Sequence, residues 1–261
     1  MKTKVGVLAV VALVAFGLKR HYADAPTDAL SWILTPTAHL VSAVTGVVFS
    51  AVPGEGYFSA ERMFLIEKAC AGVNFMIAAF AMVASALVHR ARSVRDGAAV
   101  VGVSLLASYL TAVLVNTVRI VIAMWLAVHP VTFASLTAAD IHRLEGIVVY
   151  FGGLLLLYEV VQRIDRRASV FRYAVPLGVY YLVTLGVPLA NGSSLTEAFL
   201  SHALAVLLVP PVLIALVCGV PRLVSGYPRR NVSAGSSLHA RLAGSQAAAT
   251  ATTTIARAAN R

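Results

Sequence analysis

The chain has 261 residues, of which 59% are hydrophobic and only 12% charged. That balance excludes a soluble globular domain, because several stretches approach the roughly 20 apolar residues needed to cross a bilayer. The net charge of +10 comes from arginines clustered between apolar stretches, without a basic stripe interleaved with aromatics, so it points to membrane topology and not to nucleic acid.

The expected fold class is all-α: a polytopic integral-membrane helical bundle of six or seven spans. The short alternating segments of a β-barrel are absent. Residues 5–18 are apolar and are followed by Lys19 and Arg20 instead of a small-x-small cleavage site, which makes them an uncleaved first span. Residues 30–52 are interrupted by Pro36 and contain His39; they either span or lie in the interface. Residues 53–70 form a polar, glycine-containing connection.

Further spans are expected at about 72–89, 98–128, 143–162, 173–190 and 198–220. The 98–128 segment is too long for a simple span and must project, tilt or break near Asn116. Residues 222–261 are rich in Ala, Ser, Thr, Gly and Arg and lack apolar periodicity. They are expected to form a disordered, basic cytoplasmic tail, separate from a membrane domain over 1–221.

Positive charge gives the orientation. Arg90, Arg92 and Arg95 lie in one loop, Arg163, Arg166, Arg167 and Arg172 in another, and Arg222, Arg229 and Arg230 at the start of the tail. The intervening loops carry only Arg143, so the arginine-rich loops are assigned to the cytoplasm and Cys70 and the 129–143 loop to the outer side. If 30–52 spans, the N-terminus lies outside; if it lies in the interface, the N-terminus lies inside.

Cys70 and Cys218 are the two cysteines. This topology puts them on opposite faces, about 30 Å apart, which precludes a disulfide between them. Cys218 then reads as a small apolar filler. Cys70 stands just before the apolar run 73–88. A helix start there would favour the thiolate, the reactive form of cysteine, and would offer N–H donors to an oxyanion. The bland alternative for a lone cysteine is a buried structural residue.

Arg119 lies within an apolar segment, where an arginine normally faces a cavity or a partner. At 1.5 Å per residue from Ala98 it stands about 30 Å up the helix, near the outer boundary. Ser104, Ser108, Thr111 and Arg119 share one side of an ideal helix, with Asn116 at its margin. Snorkelling to the headgroups is the alternative. His142 stands at the start of the next span, with a titration range suited to proton transfer, and Glu145 one turn later either orients its ring or caps the helix. Its own alternative is a polar cap at the interface.

His129 competes for the same role as His142; His89 falls in a cytoplasmic loop, and His39 and His202 stand alone. Glu159 is expected to pair with Arg163 one turn on. HExxH, CxxC, GxSxG and phosphate-binding glycine-loop patterns are absent, so no metal or cofactor is expected.

Three ordered motifs carry a family likeness: Ala69-Cys70-Ala71-Gly72-Val73-Asn74-Phe75, Asn116-Thr117-Val118-Arg119-Ile120, and Ile141-His142 through Glu145-Gly146. Together they resemble the exosortase/archaeosortase family of integral-membrane cysteine transpeptidases, most closely its exosortase K variant, over roughly residues 20–165. The resemblance implies that Cys70 is the nucleophile, His142 the general acid or base and Arg119 the stabiliser of the oxyanion. It implies substrates that are exported proteins ending in a short motif, a transmembrane helix and a basic tail, which are cleaved near the motif and passed to a cell-surface acceptor. Many members carry Ser or Thr after the cysteine where this chain has Ala71. Two alternatives remain beside this one: an intramembrane protease using water as acceptor, and a non-catalytic transporter or scaffold in which Arg119 binds an anion or a partner helix. Inverted repeats of the transporter kind are not seen.

Overall fold

A computed structural model describes residues 2–129, 136–165, 173–190 and 196–224. The expected tail beyond Val224, Arg166, Arg167, Arg172, Arg229 and Arg230, and the side chains of Cys218 and Arg222 lie outside the described residues. The chain divides into two compact units, Met1–Ile214 and Ala215–Arg261. The second is described only over the end of the last helix.

Helices dominate: α1 Lys2–Asp24, α2 Ser31–Thr45, α3 Val73–Leu87, α4 Val94–Val128, α5 Ala138–Asp165, α6 Ala174–Tyr181, α7 Val187–Ala190 and α8 Glu197–Val224. A π-helical turn, Leu182–Gly186, joins α6 to α7. Among the described residues, four helical segments are long and apolar enough to cross a membrane: Lys68–Arg90, Val94–Val128, Ala138–Asp165 and Phe199–Val217. The expectation was six or seven. The shortfall lies in short segments. The uncharged part of α1, residues 5–18, rises only about 21 Å, against about 30 Å for a bilayer core. The α6–α7 rod is a shorter apolar helix, Ala174–Ala190.

The all-α expectation fails over residues 50–66, of which 50–52 are expected to end the interrupted segment 30–52 and the rest to lie in the polar, glycine-containing connection 53–70. Strands β1 Ser50–Val52, β2 Gly56–Ser59 and β3 Phe64–Ile66 form an antiparallel sheet in the order β1-β2-β3, with Ala51 opposite Tyr57 and Phe58 opposite Leu65. Strands this short leave little periodicity to detect, although aromatic and β-branched residues suit a half-buried pleat.

α3 is the central helix. Phe75, Met76, Ile77, Phe80, Met82 and Val83 are all buried, as a helix apolar all round requires. α4 starts with a capping box in which Asp96 N–H donates to Ser93 Oγ and Ser93 N–H to Asp96 Oδ2, which satisfies two otherwise free donors. It continues unbroken past Asn116 to Val128, a rise of about 52 Å, so projection or tilt accounts for its length and a break does not. The polar stripe does face inward: Ser104, Ser108 and Asn116 are fully buried.

Contacts fix which helix ends lie together. Lys19 Nζ, near the end of α1, donates to Asn74 Oδ1 at the start of α3 at 2.8 Å. At the other end of α1, Val7 and Val11 pack with Phe80, Ala84 and Val100. α1 and α3 are therefore antiparallel neighbours. The segment between them leaves and returns at one end of the bundle, because Lys68 Nζ donates to the carbonyls of Ala23 and Ala25 at 3.1 and 2.7 Å. The Asp28 carboxylate, just before α2, likewise accepts from Gly54 N–H in the β1–β2 turn. At the opposite end, Arg90 and His89 pair with the buried Asp165 of α5. Glu159 pairs with Arg163 at 3.3 Å, as the spacing predicts.

Candidate active site

Cys70 ends a single 3-10 turn, Lys68–Cys70, that enters α3. Its N–H donates to Glu67 O at 2.8 Å and Ala71 N–H to Lys68 O at 3.0 Å. Gly72 follows in the left-handed region, at φ 68. A side chain is strained there, and a Cβ would stand 3.2 Å from Asn116 Cγ. Gly72 thus serves both to reverse the backbone and to admit Asn116. The first intrahelical bond runs from Met76 N–H to Gly72 O, so the N–H groups of Val73, Asn74 and Phe75 have no acceptor within the helix.

Arg119 enters from α4, and its side chain is 14% exposed. Nη1 donates to Tyr150 Oη at 3.3 Å, and Nη2 approaches His142 Nε2 at 3.2 Å. Its Nε is 3.8 Å from Glu145 Oε2, and the guanidinium carbon lies 5.2 Å from the centre of the Tyr150 ring. Arg119 therefore faces the bundle and does not snorkel. The close approach depends on Gly146, where a Cβ would stand 3.3 Å from Arg119 Nε.

The Arg119–His142 contact determines a tautomer. Arginine has donors and no acceptor, so Nε2 of His142 must present its lone pair. The ring proton then sits on Nδ1, which faces Glu145 Oε2 at 3.6 Å. Glu145 is 94% buried as a side chain, being 6% exposed, and neither carboxylate oxygen has a hydrogen-bond partner among the described residues. Its Oε2 stands between Arg119 Nε and His142 Nδ1, at 3.8 and 3.6 Å.

Cys70 joins this group through its backbone. Asn116 Nδ2 donates to the Cys70 carbonyl, and Asn116 Oδ1 accepts from Tyr150 OH at 2.9 Å. The Tyr150 ring stacks on Phe75 at 5.3 Å. The thiol is half-buried, and no hydrogen bond joins it to Arg119 or His142 among the described residues.

A cavity of about 550 Å³ is walled by the residues flanking Cys70, Ala69 and Gly72, together with Asn74, Arg119, His142 and Tyr150. That volume suits a ligand-sized or peptide-sized occupant. It extends past Ile147 to Leu154, about 18 Å along α5 from His142 at the helical rise.

Of the residues singled out from sequence, Arg119, His142 and Glu145 meet directly, and Cys70 meets them through Asn116 and Tyr150. His129 instead stacks on Trp125 at 5.0 Å and contacts the Trp125 carbonyl. Lys19, Tyr150 and His202 also line the cavity and were not anticipated. The one available signal for Tyr150 was its spacing, since 142, 146 and 150 climb one flank of α5 by fours. No protein-family model, curated protein or solved structure matches this chain.

Proposed function

We propose that this protein is a membrane-embedded cysteine transpeptidase that cleaves the C-terminal sorting signal of exported proteins at the outer face of the cell membrane and transfers them to a surface acceptor. The observation that carries the proposal is the contact of Arg119 with His142 at a cavity lined by Ala69 and Gly72, on either side of Cys70. The ordered motifs that resemble the exosortase/archaeosortase family support the same chemistry.

The Arg119–His142 contact supports the following order of steps. In the empty site, Arg119 Nη2 occupies the His142 Nε2 lone pair. A substrate carbonyl oxygen entering the cavity draws the guanidinium away, and the freed Nε2 takes the Cys70 thiol proton. The thiolate forms a C–S bond at the carbonyl carbon, and the oxyanion is held by Arg119 and by first-turn N–H groups. His142 returns the proton to the departing amine as the C–N bond breaks. An acceptor nucleophile then loses its proton to His142, attacks the thioester and expels the Cys70 thiolate.

The contacts between helix ends support a topology with α1, α3, α4, α5, α6–α7 and α8 as the crossings, the lower of the two counts expected. α2 and the sheet stay at the outer end beside Cys70, and the N-terminus lies in the cytoplasm with the arginine-rich loops. The partners are exported proteins carrying the motif, helix and basic tail, together with the lipid bilayer and an acceptor of unassigned chemistry.

The test is processing of such a substrate co-expressed with the Cys70→Ala variant. The uncleaved form should accumulate while the variant still inserts; full processing would remove Cys70 as nucleophile.

A further inference from the structure

Four side chains and one backbone carbonyl form a continuous chain across the site. His142 Nε2 accepts from Arg119, Arg119 Nη1 donates to Tyr150, Tyr150 donates to Asn116, and Asn116 donates to the carbonyl of Cys70. Each link has a defined direction, because arginine only donates and an amide presents one donor end and one acceptor end. Asn116 is fully buried, and the Tyr150 ring is held between Phe75 and the Arg119 guanidinium. Neither residue bears a nucleophile or a general base.

We propose that Asn116 and Tyr150 are positioning residues. They form a strut that sets the distance and angle between the turn bearing the Cys70 thiol and the Arg119 guanidinium, so that the oxyanion of acyl transfer develops where Arg119 can meet it. This rests on the acyl-transfer function proposed above. An oxyanion hole acts only when its donors already stand where the charge will appear, and buried polar networks hold such geometry when every member is satisfied. Tyr150 is satisfied on both sides, its oxygen accepting from Arg119 and its proton going to Asn116, while the buried Arg119 Nε lacks a hydrogen-bond acceptor among the described residues and faces Glu145 Oε2 at 3.8 Å. The strut is specific to carbonyl attack. Alkylation of the same thiol forms no oxyanion and does not call on Arg119 in that way.

That difference supplies the test. The full-length protein in detergent, carrying Cys218→Ser, is mixed with p-nitrophenyl acetate. The Cys70 thiolate, its proton lost to the buffer, bonds to the acetyl carbon, and p-nitrophenolate leaves with the electron pair of the broken ester bond. The burst of nitrophenolate absent from Cys70→Ala measures acylation, and iodoacetamide labelling of Cys70 measures reactivity without an oxyanion. Tyr150→Phe, which keeps the stacked ring, should slow acylation about tenfold and leave alkylation within about twofold. Asn116→Ala should do the same, and the double variant should be no slower than the worse single one, because the two are serial links of one strut.

Acylation of Tyr150→Phe at the parent rate, an equal fall in acylation and alkylation, or multiplicative effects in the double variant would each overturn the strut while leaving acyl transfer at Cys70 intact. Identical nitrophenolate release by the parent and Cys70→Ala would overturn the acyl-transfer function itself, and the strut with it.

Discussion

Arg119 Nη2 donates to His142 Nε2 at 3.2 Å, from the next helix of the bundle. The contact holds His142 neutral at that nitrogen and places its ring proton toward Glu145. In the proposed mechanism Arg119 leaves this seat on the imidazole for a substrate carbonyl oxygen.

Arg119→Lys should lower Cys70 acylation about 10²-fold to 10³-fold, the usual loss when one oxyanion donor is removed. The ammonium keeps the charge but lacks the planar fork that reaches Tyr150 and His142 together. Burst kinetics on the purified variant check this, and a loss under about threefold would count against a role at the oxyanion.

Glu145→Gln keeps the volume and removes the charge facing Arg119 and His142. The buried guanidinium loses its counter-charge, so the protein should lose roughly 2 kcal/mol of stability. A lowered melting temperature in detergent would report this. An unchanged one would mean that Glu145 is not ionised in the folded protein.

Two glycines should be intolerant for different reasons. Gly72→Ala forces a side chain into the left-handed region, at about 1–2 kcal/mol, and presses on Asn116. Gly146→Ala adds a methyl 3.3 Å from Arg119 Nε without backbone strain, so it should slow acylation while leaving the melting temperature nearly unchanged. Equal behaviour of the two variants would contradict this account of their roles.

Topology is open to labelling in intact cells with a membrane-impermeant maleimide, in a background of Cys70→Ala and Cys218→Ser. Met63→Cys, at a turn residue that is 79% exposed beside the sheet, should label from outside. Lys2→Cys should label only after the membrane is breached. The reverse order would invert the proposed orientation.

Much of the site was legible in the sequence because its groups are anomalous there. An arginine inside an apolar helix is costly unless it has a partner, and a cysteine, glycine and asparagine at the mouth of another stand out from the apolar run that follows. Tyr150 was not legible, since a tyrosine in an apolar span looks like any aromatic wall. Lys19 looked like a charge flanking a short span, and only the packing of α1 against α3 turns it toward the cavity. The sheet over 50–66 escaped because its strands are too short to show a period, and α2 read as a possible span because composition cannot reveal that the chain before it at Ala25 and after the sheet at Lys68 is joined at one end of the bundle.

The most direct measurement is a search for a covalent acyl adduct on Cys70 in membranes where the protein is expressed with an exported protein bearing a C-terminal motif, helix and basic tail. The account predicts a thioester between Cys70 and the truncated C-terminus of that protein, released by hydroxylamine, absent from Cys70→Ala and strongly reduced in His142→Ala, which lacks the group that takes the thiol proton and protonates the departing amine. Unimpaired processing by Cys70→Ala, with no hydroxylamine-sensitive adduct in any variant, would contradict it.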